Sequence, residues 1–225
     1  MTTKLRQPLI VAVIGSLQDF DELGKFSADS FDICELRLDL LYGKSKNIEA
    51  LSRGIRSQKI ATVRDPGEGG ANALPETTRI EIFEQWLPHC DFLDIELRNL
   101  GRYSGLVGRA AAEGKQVIVS FHDFRETPQI ERLQEMLDSC GVRENWIYKV
   151  ATRTSRWEDI ETLACFIQRN ADVRIAAMGM GEFGKLSRLV LARLGSALVY
   201  GSISHAVAPG VWPVTELARL LAEIS

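Results

Sequence analysis

The sequence has no apolar run long enough to cross a bilayer, no closely spaced cysteines and no excess of basic charge. The first absence excludes a membrane-spanning helix. The second matters because metal sites and redox dithiols are marked by short Cys or Cys/His spacings. Cys34, Cys90, Cys140 and Cys165 are scattered singly. Cys34 and Cys165 lie in apolar segments and are expected as reduced core residues. The third, a net charge of −3, leaves no electrostatic footprint for nucleic acid or an anionic membrane surface. There is also no Pro/Gly/Ser linker and no low-complexity tract, so residues 1–225 are expected to form one domain. Residues 1–8 lead into a strand-like run without the hydrophobic region of a signal peptide, and a cytoplasmic protein is expected.

What the chain does have is one pattern repeated from end to end. A short apolar strand is followed by a polar loop and an amphipathic helix. Strands are expected over residues 9–14, 33–38, 59–63, 92–95, 116–120, 146–150, 174–177 and 197–200. Helices are expected over 20–27, 47–57, 75–87, 102–113, 130–139, 157–169, 183–194 and 214–223, with apolar positions such as Ile130, Leu133, Met136 and Leu137 at helical spacing. Eight such units, with strands reading as continuous apolar runs, predict an α/β fold: a closed (β/α)8 TIM barrel. The runner-up, a doubly wound open sheet, lacks support because Ile14-Gly15-Ser16-Leu17 carries no GxGxxG turn.

In such a barrel the chemistry sits at the C-terminal ends of the strands. There the sequence places Glu35, Arg37 and Asp39 at alternate positions of the second strand, with Leu36 and Leu38 facing the helices. Charges turned into a barrel need partners or a ligand. Arg64 and Glu68 follow the third strand, Asp94 and Glu96 the fourth, His122 the fifth, and Arg188 lies one turn into the helix after the seventh. His89 is expected at the surface, and His205 falls in a loop after the eighth strand.

Lys149 stands in the middle of Asn145-Trp146-Ile147-Tyr148-Lys149-Val150-Ala151, a buried-strand sequence. Desolvating an ammonium is costly, so this lysine either snorkels past the strand end or is kept inside for a chemical task. His122 lies on the neighbouring strand, within reach across the barrel mouth. A buried amine adds to a ketone and forms an imine. Desolvation and cations such as Arg37 and Arg64 would favour its uncharged form. His122 would then act as general base and later as general acid. Arginines at 37, 64 and 188 point to an anionic, oxygen-rich substrate, a hydroxylated keto acid.

Six motifs carry a family resemblance: Glu35-Leu36-Arg37-Leu38-Asp39; Thr62-Val63-Arg64 with Glu68-Gly69-Gly70; Ser120-Phe121-His122-Asp123-Phe124; Lys149-Val150-Ala151; Met178-Gly179 with Ser187-Arg188; and Ala208-Pro209-Gly210. In this order, over residues 9–223, they resemble type I 3-dehydroquinate dehydratase. The resemblance implies a (β/α)8 barrel, commonly a homodimer, that uses no cofactor and no metal. It implies dehydration of 3-dehydroquinate to 3-dehydroshikimate in the shikimate pathway, which leads to chorismate and the aromatic amino acids. By the resemblance Lys149 is the imine-forming lysine, and His122 takes the C2 proton and helps expel the C1 hydroxyl. Glu68 orients that histidine, Arg188 clamps the substrate carboxylate, and Glu35, Arg37 and Arg64 hold the ring hydroxyls.

One loop departs from the pattern. Family members read Ser-Ala-Pro-Gly-Gln after the eighth strand, where this chain reads Val207-Ala208-Pro209-Gly210-Val211. Two hydrogen bonds to a charged ligand are lost, at about 1.5–3 kcal/mol each. Trp212 and His205 are the nearby candidates for replacement contacts. Two alternatives therefore stand beside the dehydratase: another imine-forming lyase or aldolase on a hydroxylated keto acid, and a non-catalytic ligand-binding homologue.

Overall fold

The computed structural model of the protein describes residues 7–26, 30–44, 47–141, 143–204 and 210–224. Eight parallel strands run in the order β7-β6-β5-β4-β3-β2-β1-β8. They are β1 (Leu9–Ile14), β2 (Ile33–Arg37), β3 (Gln58–Thr62), β4 (Phe92–Glu96), β5 (Gln116–Asp123), β6 (Trp146–Arg153), β7 (Ile175–Met180) and β8 (Leu198–Ser202). The helices are α1 (Leu17–Leu23), α2 (Leu38–Leu41), α3 (Ile48–Arg53), α4 (Glu76–Trp86), α5 (Ser104–Ala112), α6 (Ile130–Cys140), α7 (Trp157–Arg169), α8 (Gly184–Arg193) and α9 (Val214–Glu223). This is the (β/α)8 barrel that the repeating pattern predicts. No helix among the described residues is long and apolar enough to cross a membrane.

Side chains of a strand alternate between two faces, and here the alternation builds the barrel in layers. One inward residue from each strand forms an apolar plug: Val11, Ile33, Ile60, Phe92, Ile118, Ile147, Ala176 and Leu198. Two residues further along each strand come Val13, Glu35, Thr62, Asp94, Ser120, Lys149, Met178 and Tyr200. Dry packing thus gives way to polar chemistry within one repeat of the pleat. The outward positions, such as Cys34, Leu36, Ile95, Val119 and Tyr148, pack under the helices in a second core. α7 contributes Ile160, Leu163, Phe166 and Ile167 to it, an i, i+3, i+6, i+7 stripe. Each such side chain, fully buried, contributes about 1.5–3 kcal/mol.

Between β7 and β8 the ladder gives way to a short seam. Ala197 N–H donates to Ile175 O at 2.7 Å, and the Ser196 hydroxyl takes Ala177 N–H at 3.0 Å. A side chain here does work that the backbone does elsewhere.

Several expected boundaries shift. The second strand ends at Arg37, because Leu38–Leu41 turns helical as α2 and takes Asp39 off the strand face. β5 and β6 run three residues beyond expectation, to Asp123 and Arg153, because Phe121–Asp123 pairs with Val150–Thr152. α3 stops at Arg53, with Gly54 as its cap. A two-residue strand, β9 (Trp212–Pro213), pairs with the end of β8. Cys34 is buried as expected, but Cys165 is exposed: it falls between Leu163 and Phe166 on the outer face of α7. His89 is half-buried beside Glu49 rather than free on the surface. His205, Ala206, Val207, Ala208 and Pro209 lie outside the described residues.

Candidate active site

The C-terminal ends of the strands surround a cavity of about 720 Å³, its open mouth included. Glu35, Arg37, Arg64, Glu68, His122, Lys149 and Arg188, the seven residues singled out from sequence, all line it.

Lys149 is 4% exposed and points into the barrel. Its Nζ donates to Asp94 Oδ2 at 2.9 Å, lies 3.5 Å from Glu35 Oε1, and sits over the Tyr200 ring, 4.2 Å from its centroid. The groups in contact with the amine are therefore carboxylates and an aromatic face. Of the two arginines expected beside it, Arg64 shares Asp94 Oδ2 with the amine, and Arg37 is held by Asp39. Arg64 donates to Glu96 Oε1 at 3.0 Å and Ser120 Oγ at 2.7 Å, and pairs with Asp94 at 2.9 Å. Arg37 forms a two-pronged pair with Asp39, at 2.9 and 2.8 Å. Burial works against the Arg64 charge, but Asp94 and Glu96 outweigh it and hold the guanidinium well above its usual range. Burial likewise raises Asp94, yet Arg64 and Lys149 prevail and keep it well below the usual carboxylate range.

His122 is tied to Glu68. Glu68 Oε2 accepts the His122 backbone N–H at 3.0 Å and lies 3.1 Å from Nδ1. An oxygen that already accepts one N–H serves Nδ1 as acceptor too, so we assign the ring hydrogen to Nδ1 and the free lone pair to Nε2. Burial, with Arg64 and Lys149 nearby, lowers His122 well below its usual value, so the ring is neutral at physiological pH. Burial pushes Glu68 up to about 7; Arg64 opposes this only in part.

Glu68 is delivered by a tight turn, Pro66–Glu68, whose start is fixed by Asp65 accepting Gly67 N–H at 2.7 Å. Gly70 closes it: its N–H donates to Asp65 O, and a Cβ there would lie 2.1 Å from Arg64 O. Only glycine permits that approach.

Arg188 differs from the other buried cations. Its guanidinium donates to Gly210 O at 3.0 Å and Tyr200 O at 3.3 Å, and lies 3.4 Å from Met178 Sδ. Among the described residues it has no carboxylate partner, unlike Arg37, Arg64, Arg79 and Lys149. Burial pulls it down to about 10, which still leaves it charged.

Sequence alone assigns no role to the groups that neutralise the site. In the sequence Asp94 and Glu96 are residues at a strand end, and Ser120 and Thr62 are parts of motifs. Arg79 carries no sequence signal, yet it reaches in from α4 to Glu96 at 2.9 Å, Asp65 at 2.8 Å and Val63 O, bracing Arg64 and the Glu68 turn from behind. Alternating acids on an otherwise apolar strand, Phe92-Leu93-Asp94-Ile95-Glu96, were the signal available for the first two. Nothing local marked Arg79 or Tyr200.

The family model described as type I 3-dehydroquinase matches residues 10–225. The 3-dehydroquinate dehydratase of Aquifex aeolicus is 35% identical over 94% of this chain and 97% of its own length. That of Thermodesulfovibrio yellowstonii is 31% identical over 89% of this chain and 88% of its own. The crystal structure of the Aquifex aeolicus enzyme superposes with a TM-score of 0.83 at 32% identity, covering 96% of this chain and 98% of that one. A 3-hexulose-6-phosphate synthase from Salmonella typhimurium, at 17% identity and a TM-score of 0.62, shares the fold alone. Sequence over nearly the whole chain, and backbone with it, place this protein in the type I 3-dehydroquinase family.

Proposed function

We propose that the protein dehydrates 3-dehydroquinate to 3-dehydroshikimate through an imine on Lys149. The observation that carries this reading is one cavity lined by a buried amine, an imidazole tied to a carboxylate, and a buried guanidinium with no carboxylate partner among the described residues. Arg188 takes the substrate carboxylate, completing the ion pair that the protein leaves open. Arg37, Arg64 and Glu35 face the hydroxyl-bearing side of the ring. Nζ adds to the C3 ketone, and water leaves. Ammonium plus ketone gives iminium plus water without change of charge, so Asp94 and Glu35 face a cation before and after.

The iminium draws electrons and acidifies the C2–H bond. His122 Nε2 accepts that proton, leaving an enamine. The enamine expels the C1 hydroxyl, which takes the proton back from His122 and departs as water. Hydrolysis of the imine frees the product and restores the lysine. The net change is the loss of one water, and no oxidant or cofactor enters the balance.

An ultraviolet assay for the conjugated product, with Lys149→Ala as control, tests the reaction. Borohydride added during turnover should leave a reduced substrate adduct on Lys149. Turnover without any adduct, or turnover by Lys149→Ala, would remove the imine from the mechanism. Val211 gives the cavity an aliphatic wall and so favours a second reading, an imine-forming lyase on a different keto acid. Faster turnover of open-chain hydroxylated keto acids than of 3-dehydroquinate would select it.

A further inference from the structure

Tyr200 is 4% exposed, and its hydroxyl is buried without a hydrogen-bond partner among the described residues. A buried hydroxyl left unpaired is costly, and one kept in a ligand cavity calls for a reason. Among the described residues the buried Tyr103 hydroxyl shares this state, but it does not line the cavity. We propose that Tyr200 is a substrate-recognition residue whose phenol O–H donates to an uncharged oxygen of the bound keto acid, a ring hydroxyl. This rests on the dehydratase reading and adds a residue to it.

The ring is fixed relative to both groups that hold the substrate. Lys149 Nζ stands over its face at 4.2 Å, and Arg188 donates to the Tyr200 carbonyl at 3.3 Å. A ligand bonded to Lys149 and clamped by Arg188 therefore meets this ring in one orientation. The neighbouring wall, Met178, Met180 and Val211, offers no donor. Among the described lining residues, Tyr200 is the one that brings a hydroxyl to the cavity. Burial, with Glu35 and Asp94 nearby, pushes the phenol well above the usual tyrosine range, so it stays a donor throughout an assay. A donor unsatisfied in the free protein and satisfied by the ligand improves binding on both counts.

Tyr200→Phe keeps the ring and its contact with Lys149 and removes only the hydroxyl. The expected result is a KM for 3-dehydroquinate about three- to tenfold higher, a kcat within about twofold of wild type, and a thermal midpoint no lower than wild type. An unchanged KM would overturn the proposal, whatever happens to kcat. So would a midpoint several degrees lower, which would mean that the hydroxyl has a partner inside the protein. Wild-type turnover separates the two levels of inference. If the wild type does not turn over 3-dehydroquinate, the dehydratase reading falls, and calorimetric Kd values for 3-dehydroquinate with the two proteins still report on the hydroxyl.

Discussion

Arg64 and Arg188 line the same cavity at the same 3% exposure, yet their surroundings give them opposite jobs. Arg64 compensates two carboxylates that are themselves fully buried, Asp94 and Glu96. Removing it takes one cation from each, with Lys149 still on Asp94 and Arg79 still on Glu96, so Arg64→Met should destabilise the fold by about 1–3 kcal/mol. Arg188 donates to carbonyl groups and strands no charge when removed. Arg188→Met should therefore leave the unfolding midpoint nearly unchanged and raise KM by roughly two orders of magnitude, the loss of a charge-assisted clamp. Denaturant titration beside steady-state kinetics checks the contrast. Equal destabilisation by the two variants would make Arg188 a structural residue and leave the substrate carboxylate without its site.

At the level of elements, the same substitution has opposite consequences in different places. Gly70 closes the turn that carries Glu68, and an added Cβ would meet Arg64 O at 2.1 Å and Asp65 C at 2.9 Å, both backbone atoms. The turn must reopen to accept it, and Glu68 then moves off His122. A displacement near 1 Å at a catalytic group costs on the order of a hundredfold. Gly70→Ala should therefore lower kcat by about that much. Gly108 lies inside α5, where a Cβ would meet nothing within 4 Å. Gly108→Ala should leave kcat alone and stabilise the protein by up to about 1 kcal/mol through helix propensity. Wild-type kcat in Gly70→Ala would show that the Glu68–His122 contact does not depend on this turn.

For the molecule as a whole, the Glu68–His122 pair links folding to pH. Burial raises Glu68 from 4.5 to about 7, so the folded state favours its proton. That contribution to stability is fully present below about pH 4.5 and is lost as pH rises through about 7. His122 has the opposite sign. Its folded value lies well below 6.5, so its contribution is present above about 6.5 and fades as pH falls toward the lowered value. Relative to Glu68→Gln, the wild type should lose stability steadily between pH 4.5 and 7 and hold a constant difference above about 8. Denaturant midpoints across that range measure it. A constant difference throughout would mean that Glu68 ionises as an ordinary carboxylate.

Several features follow from the chain alone. Period-2 alternation in short apolar strands, joined by amphipathic helices, fixes the barrel and which residues turn inward. Position at a strand's C-terminal end is enough to bring Lys149, His122, Glu68, Glu35, Arg37, Arg64 and Arg188 to one mouth. What the chain alone could not determine is who pairs with whom. Thr62 meets Glu35 across 27 residues, Lys149 meets Asp94 across 55, and Arg64 meets Ser120 across 56. Those partnerships depend on how far each strand is staggered against the next when the sheet closes, a property of the assembled barrel that no local pattern encodes. For the same reason Lys149 shares Asp94 with Arg64, Arg79 arrives from a helix to brace the mouth, and Tyr200 ends with its ring beneath the amine and its hydroxyl unpaired among the described residues.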